Sequence, residues 1–479
     1  MKTLFLNPPH PSEIKLDIQR YTLRTRAGSL FPPIWLSWAA ASVPDSRVVD
    51  SMASNLRMDE VASIARDYDL IVMQVDTATI NPCLQVAEYM KESIGAKICF
   101  VGPHVSVQSC ANDVLNRGNN VDYVARREYD YTVKELAEGQ PLEKILGLSY
   151  KENGSINHNP NRPFIENLDE LPFVNPIYKR DLPIKSYRIH ELRYPFTTIF
   201  SSRGCQYGCK YYCRWPAVFD GSKFRARSPA NVYAEVQWVK DNMPEIKEIL
   251  FDEGTFTTRP KRVEEICDLI KHLEVTWSCN ARADVPIETL RKMKASGCRL
   301  LIVGFESSHQ EILNTICKGE RLDRMKKFVK DCKTVGLLIH GTFMIGLPGE
   351  TKESIEDDFK LAVELDLDSI QFSVATPYPG TEFWAYLMEK GWLVDNNCVN
   401  ENGLQQAVYS YPNLSQEEIE QSAEALHKKF LFRPRFVYKT LRLAISNKDE
   451  AKRIAKGFYE YSSYLRKTRN KMNRKTLAR

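Results

Sequence analysis

The chain has 479 residues, which predicts more than one domain, and an apolar fraction of 43% is sufficient for sizeable cores. No run of about 18 apolar residues occurs, which argues against a membrane-spanning helix, and "MKTLFLNPPHP" is unlike a signal peptide, so we expect a cytoplasmic protein. The net charge of +5 is unevenly distributed, because residues 433–479 carry +12 and the remainder about −7.

The first 145 residues alternate short apolar runs with helical patterns. Strands are predicted at 69–76 ("DLIVMQVD"), 96–104 and 120–128, and a helix that stops at a glycine at 81–95. This alternation predicts a doubly wound α/β domain with a parallel sheet. Ligands of such sheets bind at the carboxyl ends of the strands. The candidate binding residues at that edge are Asn7, Gln74, Thr77, Gly102 and His104.

Three further regions follow along the chain. Residues 146–193 are rich in Pro, Asn and Tyr and are predicted to be a linker with a small hairpin around "SYKENGSINHN". Residues 194–398 contain six strand–helix units, which predict a full or partial (β/α)6 barrel with functional residues at the carboxyl ends of its strands. Residues 399–479 are polar and predicted to be helical.

The stretch "RGCQYGCKYYCRWP" places Cys205, Cys209 and Cys213 on one loop after the first barrel strand. The other nine cysteines are scattered singly and are expected to be mostly buried. Three neighbouring thiolates suit a soft metal. A structural zinc site needs four ligands, usually in two pairs, whereas a [4Fe–4S] cluster with one open iron needs three. The spacing therefore favours an iron–sulfur cluster, with zinc and chance grouping as the alternatives.

This region resembles the radical S-adenosylmethionine (SAM) superfamily. In that superfamily a three-cysteine loop holds the cluster, SAM chelates the open iron, and an electron from the cluster cleaves SAM to a 5′-deoxyadenosyl radical. The superfamily loop is C-x3-C-x2-C, whereas this chain has C-x3-C-x3-C with matching "RGC" and "C-x-W-P" flanks. We therefore expect the extra residue to bulge while the thiols still converge.

Later strand motifs resemble the same superfamily, namely "LFDEGTFTT", "WSCNARAD", "VGFESS", "HGTFMIGLPGET" and "VATPYPGT". The resemblance implies SAM or substrate contacts at the ends of these strands. The residues concerned are Asp252 and Glu253 for the SAM ammonium, Asn280 and Arg282 for SAM or substrate, Glu306 and Ser307 for its ribose or carboxylate, and the backbone from Phe343 to Gly346 for adenine.

Each of these residues also has a simpler interpretation. Glu306 could be an acid at a helix start, Arg282 a surface cation, and Thr351 a helix N-cap after a turn. Cys279, in "WSCNAR", could donate a hydrogen atom to a product radical as a catalytic thiol, or could simply be a small buried residue.

The N-terminal domain resembles that of the cobalamin-binding radical SAM enzymes. The Asp-x-His-x-x-Gly motif of other cobalamin proteins is absent, so the resemblance implies cobalamin without a protein His on cobalt. His104 is then a turn residue or a contact to the cofactor. The alternative is a domain that has kept this fold and lost the cofactor.

Over most of its length the chain resembles the radical SAM family associated with hopanoid biosynthesis, through "MKTLFLNPP", "FRARSPANVYAE", "IHGTFMIGLPGETKE" and "KKFLFRPRFVYK". The resemblance implies remodelling of an isoprenoid lipid head group, by ring contraction of a sugar-like polyol to a cyclopentane polyol or a related carbon–carbon bond formation. It also implies an electron donor such as flavodoxin or ferredoxin. The alternatives are a cobalamin-dependent methylase of an unactivated carbon and a non-catalytic metal-stabilised binding module.

The C-terminal region interleaves its basic residues with aromatic ones. It could be a solvated helical cap on the barrel or a nucleic-acid site, but no nucleic-acid recognition motif accompanies it. A lipid-like substrate favours an anionic membrane surface, peripheral to the inner face. We expect that location to shorten the path of a lipid head group to the barrel mouth.

Overall fold

A computed structural model describes residues 1–10, 29–117, 120–395, 397–400 and 405–477, with side chains throughout except at 210, 461 and 464–477. Its first seven strands form one sheet in the order β2-β1-β3-β4-β5-β6-β7. These strands are β1 (Thr3–Asn7), β2 (Ser46–Asp50), β3 (Leu70–Gln74), β4 (Lys97–Val101), β5 (Tyr123–Ala125), β6 (Leu148–Glu152) and β7 (Ser155–His158). The helices around them are α1 (Ile34–Ala41), α2 (Ser51–Ser54), α3 (Met58–Ala65), α4 (Ile80–Ile94), α5 (Gln108–Asn116), α6 (Asp130–Ala137) and α7 (Asn175–Asp181).

The first five strands are parallel, which confirms the doubly wound prediction. β1 and β3 are mostly apolar and are buried on both faces, as expected for central parallel strands covered by helices. The strand order reverses between β1 and β3, which is where such sheets bind ligands. The predicted hairpin is present as β6 and β7, which extend the sheet as antiparallel edge strands.

A second parallel sheet has the order β15-β14-β13-β12-β11-β8 and is the predicted partial barrel of six strands. Its strands are β8 (Phe196–Ile199), β11 (Glu248–Phe251), β12 (Trp277–Ala281), β13 (Cys298–Glu306), β14 (Leu338–Ile345) and β15 (Ser369–Val374), and a short antiparallel ribbon of β9 (Ser202–Arg203) and β10 (Arg225–Ala226) flanks the cysteine loop. The accompanying helices are α8 (Pro229–Asn242), α9 (Pro260–Ile270), α10 (Ile287–Ala295), α11 (Gln310–Thr315), α12 (Leu322–Val335), α13 (Lys352–Glu364) and α14 (Glu382–Lys390).

Three helices end the chain: α15 (Gln416–Leu431), α16 (Pro434–Ser446) and α17 (Lys448–Leu477). Arg435 of α16 pairs at 2.9 Å with Asp366, which precedes β15. Glu450 of α17 pairs with Arg193, just before β8, and with Arg299, at the start of β13. Helices α16 and α17 therefore cap the amino ends of the barrel strands. This end is opposite the mouth, which lies at the carboxyl ends of the strands, so the position agrees with a cap on the barrel and gives no support to a shorter path for a lipid head group to the mouth.

Buried ion pairs join the two sheets on the side of the cysteine loop. Arg203 of β9 donates to both carboxylate oxygens of Asp130 at 2.8 and 3.0 Å, and its guanidinium lies 4.1 Å from the ring of Trp38. Arg225 of β10 makes a similar bidentate pair with Glu128 at 2.9 and 2.7 Å. Both acids belong to the N-terminal domain, so the ribbon beside the cysteines is attached to that domain. Within the part of the chain that the structure describes, no helix is long and apolar enough to cross a membrane.

Candidate active site

The cysteine loop contains one helical turn. Cys205, Cys209 and Cys213 are free thiols and partly buried. The carbonyl of Cys209 accepts from the amides of Tyr212 at 3.1 Å and Cys213 at 2.7 Å. The extra residue between Cys209 and Cys213 therefore completes a helical turn. It does not bulge out of the loop, which is contrary to our expectation. Because residues four apart share a helix face, this turn places Cys209 and Cys213 on one side.

The thiols do not surround a single ion. Among the side chains that the structure describes, no three His, Cys, Asp or Glu groups are close enough to hold one metal ion. A structural zinc site needs four ligands, whereas a [4Fe–4S] cluster with one open iron needs three. The number of thiols on this loop therefore fits the cluster.

Buried cations lie beside this loop. The Arg282 guanidinium is 3.9 Å from the ring of Tyr207, and Lys318 Nζ is 2.8 Å from Glu306 Oε1. Burial by itself lowers the pKa of Lys318, but the carboxylates of Glu306 and Glu320 raise it above its usual value. Lys318 and Arg282 therefore remain charged, and they offset part of the negative charge that three thiolates introduce.

Asp252, Glu253 and Asn280 meet at the carboxyl ends of β11 and β12. Asn280 Nδ2 donates to Asp252 Oδ1 and to the Glu253 carbonyl, both at 3.1 Å. The Glu253 carboxylate instead accepts from the hydroxyl of Ser201 after β8, and burial raises its pKa. The predicted set is brought together at the mouth, with Asp252 as the acid next to Asn280.

Glu306 and Ser307 diverge although they are adjacent. Glu306 has a φ of 64°, in the left-handed region, and its carboxylate folds back over Gly304, where a Cβ would be 2.3 Å from Oε1. It pairs with Lys318 and accepts from Tyr212 at 3.3 Å, so its interpretation as a helix-starting acid is wrong. The Ser307 hydroxyl is buried and lies 3.2 Å from Asp358, away from this group.

Aromatic side chains of the protein contact both Phe343 and Gly346. The Phe343 ring packs between Phe305 and Phe372, with centroids 5.7 and 5.3 Å away. The Gly346 carbonyl accepts from the hydroxyls of Tyr409 and Tyr411 at 2.7 and 2.9 Å. These two tyrosines therefore fix the conformation of the Gly346 backbone. The predicted N-cap is confirmed, because the Thr351 hydroxyl accepts from the amide of Ser354 at 3.2 Å.

Cys279 lies on the outer face of its strand. Its neighbours along β12, Ser278 and Asn280, contact polar groups of adjacent strands, and alternate side chains of a strand point to opposite faces. The Cys279 thiol lies beside Cys298 and near Cys267 of α9, and burial raises its pKa. This position agrees with the simpler interpretation of a small buried residue.

The predicted residues at the edge of the N-terminal sheet are buried or make hydrogen bonds within that domain. Asn7 donates to Asp50 Oδ1 at 2.9 Å, and His104 Nδ1 is 3.0 Å from the Thr77 hydroxyl, while burial lowers the His104 pKa. Gly102 has a φ of 117°, and a Cβ there would lie 2.6 Å from the Val75 carbonyl oxygen. Gln74, the last residue of β3, is buried at the same edge. His104 is thus in contact with the loop that follows β3.

One contact that the sequence did not predict connects the two edges. Arg214, directly after the third loop cysteine, makes a buried ion pair with Asp76, two residues beyond β3. Its guanidinium also lies 4.3 Å from the ring of Tyr378, after β15. The cysteine loop, the switch-point edge and the last barrel loop therefore meet at one side chain. The "C-R-W-P" and "Q-V-D-T" stretches were the available signals.

A family model and a curated relative both match this chain. Residues 199–362 match the radical SAM superfamily. An uncharacterized methyltransferase of Pyrococcus horikoshii is 32% identical over 455 residues, which cover 92% of this chain and 95% of the relative.

Two solved structures share the fold. The radical SAM methyltransferase TsrM of Kitasatospora setae, solved with cobalamin and a [4Fe–4S] cluster, aligns with a TM-score of 0.68 and 15% identity over 90% of this chain and 89% of its own. The cobalamin-dependent radical SAM enzyme OxsB, with aqua-cobalamin and SAM bound, aligns with a TM-score of 0.67 and 12% identity over 97% of this chain and 71% of its own.

Proposed function

The chain belongs to the radical SAM enzymes, and on that basis we propose that it is a cobalamin-dependent methyltransferase acting on an unactivated carbon. A [4Fe–4S] cluster and SAM are the cofactors of the superfamily. Three things support the finer assignment: the name of the Pyrococcus relative, the fold shared with two cobalamin-dependent enzymes, and the contact between the cysteine loop and the switch-point edge.

The observation that carries the proposal is the Arg214–Asp76 pair. It brings the loop that would hold the cluster against the edge where a doubly wound domain binds its ligand. A methyl carrier and a radical generator must act on one substrate, so their sites must adjoin. A domain that had merely kept its fold would not need to present this edge to the cysteine loop.

The candidate site residues have distinct proposed roles. Cys205, Cys209 and Cys213 would hold the cluster, which supplies the electron for SAM cleavage, while cobalamin, when bound, supplies a transferable methyl group. Asp252 and Asn280 provide acceptors at the mouth for an ammonium and a ribose. The charged Lys318 and Arg282 suit a carboxylate, but both already contact protein acceptors, so SAM would have to replace those contacts.

The alternatives receive less support. The superfamily match makes the chain an enzyme, which removes the non-catalytic binding module. Ring contraction of a lipid head group fits the named relatives less well than methyl transfer does, and they lend no support to a lipid substrate.

Anaerobic reconstitution with iron, sulfide and cobalamin tests the proposal. With SAM, a low-potential reductant and a substrate candidate, we expect 5′-deoxyadenosine and S-adenosylhomocysteine to form together, because one SAM yields the radical and another the methyl group. Isotope from methyl-labelled SAM should appear in the product. Release of 5′-deoxyadenosine alone, with product formed and unlabelled, would favour ring contraction instead.

A further inference from the structure

Helix α16 exposes an apolar face. Val437, Tyr438, Leu441 and Ile445 recur at spacings of three and four residues, which places them on one side of the helix. Leu441 is 58% exposed, Tyr438 65% and Ile445 86%. Large apolar side chains that are exposed and contiguous mark an interaction surface.

The opposite side of α16 is fixed to the barrel. Arg435 pairs with Asp366 at 2.9 Å, Lys439 pairs with Asp368 at 3.0 Å, and Phe436 packs against Phe430 with ring centroids 5.3 Å apart. The helix is therefore held in one orientation, and its apolar face points away from the barrel.

Exposed basic residues lie on α16 next to this face and at the start of the adjoining helix α17. Arg442 is exposed beside Leu441, and α17 begins next to α16 and exposes Lys448 and Lys452 together with Phe458 and Tyr459. Residues 433–479 contain fifteen Lys and Arg against three acidic residues. An apolar helix face with basic and aromatic neighbours matches the interface between the headgroups and acyl chains of an anionic bilayer.

We propose that the apolar face of α16, with the basic residues around it, docks the enzyme onto an anionic lipid bilayer. The helix lies in the plane of the interface and does not span it. Because α16 caps the amino ends of the barrel strands and the cysteine loop follows the carboxyl end of β8, docking leaves the mouth open on the opposite side. The surface is thus an anchor and not a route for substrate, and it does not depend on the proposed reaction.

The test uses the full-length protein without cofactors and vesicles of phosphatidylcholine with or without phosphatidylglycerol. We expect flotation with the anionic vesicles at low salt and release at high salt, because surface charges are screened beyond a Debye length. Leu441→Ser with Ile445→Ser should weaken binding by about tenfold or more, since both side chains would lose burial in the bilayer. Arg442→Glu should weaken binding to anionic vesicles only.

Two control variants test whether the loss of vesicle binding is specific to α16. Met388→Ser removes a side chain that is 57% exposed on α14, and Lys261→Glu changes an exposed charge on α9, so neither should alter flotation. Circular dichroism and thermal unfolding confirm that each variant is folded. The proposal is overturned if the wild type ignores anionic vesicles at low ionic strength, or if the α16 variants bind like the wild type. It is also overturned if the α16 substitutions convert a dimer to a monomer in sedimentation velocity without weakening vesicle binding. The apolar face would then join two copies of the chain.

Discussion

The buried pair of Arg214 and Asp76 yields the most quantitative prediction. Their side chains are 4% and 1% exposed, so removing one partner strands a charge in the interior. Breaking such a pair costs about 3–5 kcal/mol. Arg214 also contacts the ring of Tyr378, and that contact, worth about 0.5–2 kcal/mol, survives a change at Asp76.

A double-mutant cycle separates these contributions. We expect Asp76→Asn and Arg214→Met each to lower the free energy of unfolding by about 3–5 kcal/mol, and the double variant to lose clearly less than their sum, because it strands no charge. Urea unfolding followed by tryptophan fluorescence is suitable, since Trp35 and Trp215 stack 5.8 Å apart where the two domains meet. Losses that add to within about 0.5 kcal/mol would refute an energetic coupling between the cysteine loop and the N-terminal edge.

The same variants test function. If the pair keeps the two sites in register, Asp76→Asn should retain the cluster absorbance and SAM cleavage but lose methyl transfer. Arg214→Lys keeps the charge without the planar group that stacks on Tyr378, and should fall between the wild type and Arg214→Met. Equal loss of SAM cleavage and methyl transfer in Asp76→Asn would mean that the pair serves only the stability of the loop.

Three further predictions concern individual side chains. Cys213→Ala should abolish the iron–sulfur absorbance and SAM cleavage, whereas Cys110→Ala, at a partly buried thiol of α5, should change neither; a full cluster in Cys213→Ala would contradict the ligand assignment. Cys279→Ser should leave product yield per SAM cleaved close to normal, and SAM cleavage without product would restore the hydrogen-donor hypothesis. Burial raises the pKa of Asp50 from 3.8 to about 6, so its ionised form destabilises the fold above that pH and the penalty disappears as pH falls toward 4. Asp50→Asn should therefore stabilise the protein at pH 7.5, by at most about 3 kcal/mol, and by clearly less at pH 4.5; equal effects at both pH values would contradict this.

Local pattern was enough for the architecture of this protein. Buried strands such as β3 are short apolar runs, and the 81–95 helix pattern ends at a glycine, so the doubly wound sheet, the hairpin and the six-stranded barrel were predictable. The cysteine spacing likewise indicated an iron–sulfur cluster, because the number and spacing of the ligands are properties of one loop. The charge of the C-terminal region was also evident from composition.

Contacts between distant segments were not predictable in this way. Hydrophobic alternation shows that Cys279 and Asn280 point to opposite faces, but only the closed barrel decides which face is the interior. Nothing local indicates that Arg214 meets Asp76, that Lys318 holds Glu306, or that the basic helices lie at the end of the barrel remote from the cysteines. Sequence by itself determined the elements and their chemistry, because both depend on neighbouring residues. The tertiary structure alone decided which of them meet, because ion pairs and packing faces depend on how the chain brings remote segments together.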